Sequence, residues 1–356
     1  MKSILVGSSE SYSGKSAVCL GIGIYFVEKG YRVGYMKPLG NLITEVKGVM
    51  TDGDAYRAKV ALKLKDSLED MSPVLLTQDL MHDTLNRKQK NLKTKIKKSF
   101  SKLSRNKDIM ILEGAGDVGG GSMFGLSSVE LAKLTKSKIV LISKYDSEYV
   151  VDRILSDVKI IGDNKILVGV IINDVPVHDI EKAYGLIRPF LEERHIPVIG
   201  VIPQDKGLKS VTVKDVVENL NGKLLAGSIK GDDVISSFLV GAMSPANALK
   251  HFRSHPELAV ITGGDRVDIQ MAALEANVKC IILTGNLRPN DPVLVRAEEL
   301  DIPLVMVGHD TITTVHMADE LINRIRVDEG KKLTIIRELI ENVDFDRVYK
   351  SIGLKC

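Results

Sequence analysis

Ile4-Leu5-Val6-Gly7-Ser8-Ser9-Glu10-Ser11-Tyr12-Ser13-Gly14-Lys15-Ser16 is the stretch whose reading decides the fold. An apolar run enters a Ser/Gly loop, and a helical pattern, Ala17 to Glu28, leaves it. Strand, loop and helix in that order make a phosphate-binding unit. Backbone N–H groups of such a loop surround phosphate oxygens, and the helix N-terminus adds a favourable dipole. Lys15 then reaches the terminal phosphates and the Ser16 hydroxyl ligates Mg²⁺. The nucleotide set read from the loop is Ser13, Gly14, Lys15, Ser16 and Ala17. Its spacing departs from the standard loop, because Ser9 stands five positions before Gly14 and the earlier glycine is Gly7. The plainer reading is an ordinary Ser/Gly turn.

Outward from the loop, short β-branched runs alternate with helical stretches. Candidate strands are Lys2–Val6, Tyr31–Met36, Ile109–Leu112, Ile139–Ile142, Leu167–Ile172 and Val198–Val201. Continuous apolar runs separated by helices predict a parallel sheet covered on both faces, a doubly wound α/β domain with ligands at the carboxyl ends of its strands. Lys37-Pro38 follows the second strand, beside the loop, and Lys37 can serve a transferring phosphoryl group or a substrate carboxylate. A solvated lysine is the alternative. In Asp52-Gly53-Asp54 an acid can cap a helix, or Asp54 can ligate Mg²⁺. Glu113-Gly114-Ala115-Gly116 follows the third strand, so Ser16, Asp54 and Glu113 form a candidate oxygen set for Mg²⁺. Asn173-Asp174-Val175-Pro176 follows the fifth strand, where Asn173 can read a purine edge or make an Asx turn. Pro203 follows the sixth, where it can cradle a base.

The chain has 356 residues and is 44% hydrophobic, which predicts two domains with sizeable cores and argues against disorder. A net charge of +3, few aromatics and no Trp do not favour a nucleic-acid partner. Cys19, Cys280 and Cys356 lack metal spacing. Cys19 and Cys280 read as reduced core residues, and Cys356 as a free terminal thiol. With no signal peptide and no apolar run of spanning length, a cytoplasmic protein without a membrane partner is expected. Residues 87–107 carry Arg87, Lys88, Lys90, Lys93, Lys95, Lys97, Lys98, Lys102, Arg105 and Lys107. Leu92, Ile96, Phe100 and Leu103 have helical spacing within that segment, which predicts an amphipathic surface helix.

Taken together, Gly14-Lys15-Ser16, Lys37-Pro38, Asp54-Ala55, Glu113-Gly114-Ala115-Gly116, Asn173-Asp174 and Ile202-Pro203 resemble the dethiobiotin synthetase family. That family lies within the wider group of the cobyrinic acid amidating synthases. The resemblance covers roughly residues 1–205. It implies that Lys15 and Ser16 bind ATP phosphates and Mg²⁺, that Lys37 serves the active site, that Asp54 and Glu113 help hold metal, and that Asn173 and Pro203 contact adenine. Glu10-Ser11-Tyr12-Ser13 in the loop, and Asp117-Val118 before Gly119-Gly120-Gly121, depart from the family pattern. No glutaminase domain with a nucleophilic Cys is seen.

Lys206–Lys209 reads as a connector to a second α/β pattern. Its predicted helices are Thr212–Asn219, Asn247–Phe252, Asp268–Glu275, Val293–Leu300 and Thr313–Ile325. Its predicted strands are Ile235–Leu239, Ala259–Thr262, Cys280–Leu283 and Leu304–Val307. Val240-Gly241-Ala242-Met243, Thr262-Gly263-Gly264-Asp265-Arg266, Asp268-Ile269, Leu283-Thr284-Gly285 and Asp310-Thr311 resemble the DRTGG domain, with Asn286 where the family has a second glycine. Gly263, Gly264, Asp265, Arg266, Thr284 and Gly285 form a candidate ligand set. Exposed N–H groups and Arg266 suit an anion. The alternative is a glycine-permitted turn with Asp265 as N-cap. His309 and His316 lack the partners of a metal site.

The expected organisation is an ATP-binding domain, 1–206, a DRTGG domain, 207–328, and a C-terminal helix and tail, 329–356, used in packing or dimerisation. The whole resembles the amino-terminal region of long phosphotransacetylases. Those proteins continue into an acetyl-transfer domain that this sequence does not show, so that activity is not expected. Two functions follow. One is a homodimeric ATP- and Mg²⁺-binding regulator or sensor with an unidentified small-molecule ligand. The other is an ATP-dependent ligase of the dethiobiotin synthetase type acting on a small carboxylate or amine. Slow ATPase activity is compatible with either.

Overall fold

A computed structural model describes the chain except residues 89–90, 163–164, 206, 209, 231–232, 324–329 and 355–356, with backbone alone at 323, 330 and 331. Lys90 of the basic segment, Lys206 and Lys209 of the connector, and Cys356 lie outside the described residues. The chain forms two compact units, residues 1–205 with 327–356, and residues 206–326.

The first unit is built on six strands, β1 (Lys2–Ser8), β2 (Val33–Met36), β3 (Ile109–Glu113), β4 (Lys138–Lys144), β5 (Leu167–Val175) and β6 (Val198–Pro203). They form one sheet in the order β6-β5-β4-β1-β3-β2, every neighbouring pair parallel. All six correspond to the apolar runs read in the sequence. Ile4, Leu5 and Val6 are fully buried, as are Ile109 to Leu112 and Val140 to Ile142. Burying each such side chain contributes about 1.5–3 kcal/mol, an upper bound relative to an extended chain. Parallel strands need this two-sided cover, which explains why their residues run apolar without alternation.

Helix α1 (Lys15–Glu28) follows the loop and buries nine of its residues. Helix α2 (Gly53–Ala61) follows a short hairpin, Ile43–Val46 with Val49–Asp52, absent from the sequence reading. Helix α3 (Leu92–Leu103) is the predicted basic helix, with Ile96 and Leu103 buried and Lys102 paired to Asp70 at 3.3 Å. Helices α4 (Ser128–Thr135) and α5 (Val150–Ile161) complete the part that frames the loop.

The second unit holds a five-stranded sheet of β7 (Lys223–Ala226), β8 (Ser237–Val240), β9 (Leu258–Gly263), β10 (Cys280–Thr284) and β11 (Leu304–Met306). The order is β7-β11-β10-β9-β8, with only the β7 edge antiparallel. Alternate residues of β9 and β10 face opposite sides. Leu258, Val260, Ile281 and Leu283 join the core under helices α7 (Pro245–Arg253), α8 (Val267–Glu275) and α9 (Asp291–Glu299). Ala259, Ile261, Cys280 and Ile282 join the core under α6 (Val213–Asn219) and α10 (Thr311–Asn323). The predicted strand Ile235–Leu239 is two strands. Val234–Ile235 pairs with Val211–Thr212, and only Ser237–Val240 enters the sheet. The break falls at Ser236, whose N–H donates to Glu257 O at 2.9 Å. Cys19 and Cys280 are buried free thiols. Among the described residues, no helix is long and apolar enough to cross a membrane.

The last two helices, α11 (Gly330–Ile340) and α12 (Phe345–Ile352), return to the first unit. Residues 329–356 are therefore not a separate body. Ile336 and Ile340 of α11 are buried and face Gly21 of α1. Phe345 of α12 stacks on Tyr25, with rings 3.4 Å apart, and meets Phe26 edge-on. Asp344 N–H donates to Ile199 O at 2.7 Å, tying the tail to β6. Truncating a buried aromatic leaves a cavity that costs about 3–5 kcal/mol. Phe345→Ala is expected to lower the stability of the first unit by about that amount, read by denaturant titration, although the residue lies far along the chain from β1.

Candidate functional site

The parallel sheet brings the ends of β1, β2, β3 and β5 to one edge, so the loop, Lys37, Glu113 and Asn173 converge there. Gly14 sits at φ 83, a left-handed conformation, immediately before α1. A Cβ at that position would stand 2.2 Å from Asn173 Nδ2. Both conditions demand glycine. The Asn173 amide donates to Ser13 O at 2.8 Å, so this residue is stitched to the loop. It lies inside β5, which continues to Val175 opposite Pro203, rather than in an Asx turn.

Lys15 Nζ donates to Gly116 O at 2.5 Å and to Ser8 Oγ at 3.1 Å. Burial pulls its ammonium below the ordinary lysine range, with Glu113 opposing and Lys37 adding. The rewritten middle of the loop has its own anchor. Glu10 is paired to Arg153 of α5 at 2.5 Å, and Arg153 also holds Asp146. Ser9 N–H donates to Ile142 O at 2.9 Å. The departure from the standard loop is thus compensated by ties to β4 and α5.

Lys37 is buried among three carboxylates. Its ammonium contacts Asp54 directly, Asp52 at 3.2 Å and Glu113 at 3.5 Å. Burial alone would depress its titration, but Glu113, Asp54 and Asp52 outweigh that and hold it above the ordinary lysine range. Asp54 is likewise subject to desolvation, and Lys37 outweighs it, keeping the carboxyl below its usual range. Burial pushes Glu113 up, against Lys37 and with Asp54. The helix-capping reading applies to Asp52, whose Oδ1 accepts from the N–H of Asp54 and of Ala55. Asp54 is free of that duty and also meets Arg57 at 3.0 Å. The solvated-lysine reading of Lys37 does not hold.

Ser16 Oγ donates to Glu113 Oε1 at 2.8 Å. Ser16, Asp54 and Glu113 therefore share one neighbourhood, and a small cavity is lined by these three with Tyr35 and Arg57. Among the described residues, no group of three or more His, Cys, Asp or Glu is arranged to hold a metal. Two carboxylates and a hydroxyl suit Mg²⁺, which keeps several waters and takes few protein oxygens beside phosphate oxygens. Tyr35, Asp52 and Arg57 were not read as functional in the sequence. Tyr35 was within reach, since it lies at the carboxyl end of β2, two residues before Lys37.

Residues 2–212 match the AAA domain family. The chain belongs to that family. Residues 215–321 match the DRTGG domain, so the AAA domain is followed by a DRTGG domain. The curated relatives include a phosphate acetyltransferase of Synechocystis, 27% identical over 89% of this chain and 47% of the relative. Another, of Nitratidesulfovibrio vulgaris, is 25% identical over 95% of this chain and 50% of the relative. A probable cobyric acid synthase of Methanococcus vannielii is 29% identical over 64% of this chain and 50% of the relative. The chain spans about half the length of the curated relatives it matches. Among solved structures, MinD of Aquifex aeolicus is similar at TM-score 0.36 and 13% identity, over 58% of this chain and 84% of that one. The CBS and DRTGG domains of Clostridium perfringens pyrophosphatase, complexed with the activator diadenosine tetraphosphate, are similar at TM-score 0.30 and 15% identity, over 44% and 77%.

In the DRTGG domain, parallel β8, β9 and β10 bring Gly263, Gly264, Thr284 and Gly285 to one edge, with Gly263 opposite Thr284. The N-cap of α8 is Arg266, not Asp265. Asp265 Oδ1 instead folds back towards Gly263. Arg266 is occupied locally by Asp268 at 3.1 Å. Gly264 is required by close approach and not by its backbone angle, because a Cβ would meet Leu287 O at 2.0 Å. Asn286 replaces the family glycine at φ 55, which Asn tolerates better than most residues. Thr284 Oγ1 is 2.8 Å from Thr311 Oγ1. Gly264→Ala is expected to destabilise the DRTGG domain by about 1–3 kcal/mol through backbone displacement. Arg266→Ala is expected to change stability by less than about 0.5 kcal/mol, as an exposed pair does. Parallel thermal melts of the two variants check the contrast.

Proposed function

We propose that the protein is a cytoplasmic, homodimeric ATP- and Mg²⁺-binding regulator or sensor. Its AAA domain takes the nucleotide, and its DRTGG domain takes a second small-molecule ligand. The observation that carries the reading is the convergence of Lys15, Ser16, Lys37, Asp54 and Glu113 at one sheet edge. On this reading Ser13 to Ala17 surround the phosphates, Asn173 and Pro203 face the base, and Ser16, Asp54 and Glu113 hold Mg²⁺. Bound Mg²⁺ supplies charge neutralisation of the phosphates. Gly263 to Arg266 with Thr284 and Gly285 are assigned to the second ligand.

Lys37, with Arg57 and Lys15 beside it, already offsets the carboxylates, so metal entry depends on nucleotide. Bound phosphate would compete for Lys37 and Lys15, and Asp54 and Glu113 would then be the residues to hold the cation. A second buried lysine, Lys37, beside Lys15 and Glu113 supports a second reading, an ATP-dependent ligase of the dethiobiotin synthetase type. There Lys15 and Lys37 stabilise charge on a phosphoryl group passing to a small carboxylate or amine.

Calorimetry is expected to show ATP binding that needs Mg²⁺ and is lost in Lys15→Ala, with no heat from MgCl₂ alone. Undiminished binding by Lys15→Ala overturns the reading. Lys37→Ala leaves buried carboxylates uncompensated and should cost about 3–5 kcal/mol. Millimolar Mg²⁺ is expected to restore part of that loss in a thermal melt, and to leave wild type unmoved. ADP release that depends on one member of a carboxylate and amine panel would favour the ligase. Native mass spectrometry checks the dimer.

A further inference from the structure

Glu113 is held from two sides. Its Oε1 accepts from Ser16 Oγ at 2.8 Å and lies 3.5 Å from Lys37 Nζ. Its Oε2 accepts from Tyr35 Oη at 2.6 Å. Tyr35 is 1% exposed on β2, and Glu113 is 1% exposed at the end of β3. The two strands are parallel neighbours, with Tyr35 opposite Ile111, so the phenol reaches along the sheet towards the carboxylate. One oxygen therefore faces the loop, and the other is spoken for by a buried donor.

We infer that Tyr35 confines Glu113 to one-oxygen ligation and makes this site select Mg²⁺ over Ca²⁺. The inference rests on the nucleotide and metal reading above. Mg²⁺ takes near-octahedral coordination and accepts a carboxylate through one oxygen or through water. Ca²⁺ takes six to eight oxygens at longer distances and commonly uses both oxygens of a carboxylate. A carboxylate pinned at its rear oxygen serves the first ion and fails the second. The hydrogen bond from the phenol to the carboxylate is buried, so it is costly to give up for a bidentate contact. Tyr35 never touches the cation. It is a positioning residue that acts through Glu113.

The test uses the full chain and a fluorescent ATP analogue, titrated with MgCl₂ and separately with CaCl₂. Wild type is expected to saturate at much lower Mg²⁺ than Ca²⁺. Tyr35→Phe frees Oε2 and should narrow the ratio of the two half-saturation points by about fivefold, the factor one hydrogen bond is worth. The change should come mainly through tighter Ca²⁺. A tyrosine that only supports the core would shift both ions equally, and that result, or an unchanged ratio, overturns the inference. Wild type that uses Ca²⁺ as readily as Mg²⁺ overturns it without any variant. Wild type that binds the analogue with neither ion defeats the nucleotide reading itself, which separates the two failures. A thermal melt of Tyr35→Phe without nucleotide accompanies the titrations to confirm the fold.

Discussion

Strand β1 is hydrogen-bonded on both sides by parallel neighbours and buried on both faces, and the candidate site follows from that position. Its register with β3 sets Val6 opposite Glu113, and its register with β4 sets Ser8 opposite Ile142. The loop that leaves β1 therefore emerges beside Glu113 and next to the anchors for its own middle, Ile142 and Arg153. Side-chain placement alternates along a strand, so a slip of β1 by one residue would turn Ser8 to the wrong face and part Val6 from Glu113. The fully buried Ile4, Leu5 and Val6 make that slip costly.

Electrostatics at this edge follow from burial rather than from charge number. Three carboxylates and a lysine in bulk water would gain little from one another. Buried at the sheet edge beside α2, the group raises Lys37, lowers Asp54 and pushes Glu113 up. The same enclosure gives Tyr35 its effect, because a phenol hydrogen bond to a carboxylate counts for more where water cannot compete. The tail packs on α1 itself, at Gly21 and Tyr25, through Ile336, Ile340 and Phe345.

Much of this was legible in the sequence. Parallel sheets have a simple rule, that functional residues follow the carboxyl ends of strands, and it picks out Lys37, Glu113 and Asn173 without any structure. The six apolar runs of the first unit were readable because two-sided burial removes polar residues from a strand. Strand β7 was not readable, since Lys223 to Ala226 form a half-buried antiparallel edge with little pattern. The hairpin before α2 escaped for the same reason. Asp265 had the composition of a cap, but a cap depends on where the helix begins, and α8 begins one residue later than that reading requires.

By itself, the sequence determined the element types, their order and the edge where chemistry-bearing residues gather. These depend on local periodicity and on a loop whose parts are adjacent in the chain. The tertiary structure alone decided that Lys37 is caged by Asp52, Asp54 and Glu113, that Asn173 is tied to the loop, that Tyr35 holds Glu113, and that α11 and α12 close on the first unit. Periodicity tells which face of an element is apolar, but not which distant segment covers it. Charge pairing depends on distances between residues far apart in the chain, and those exist only once the strands have found their register.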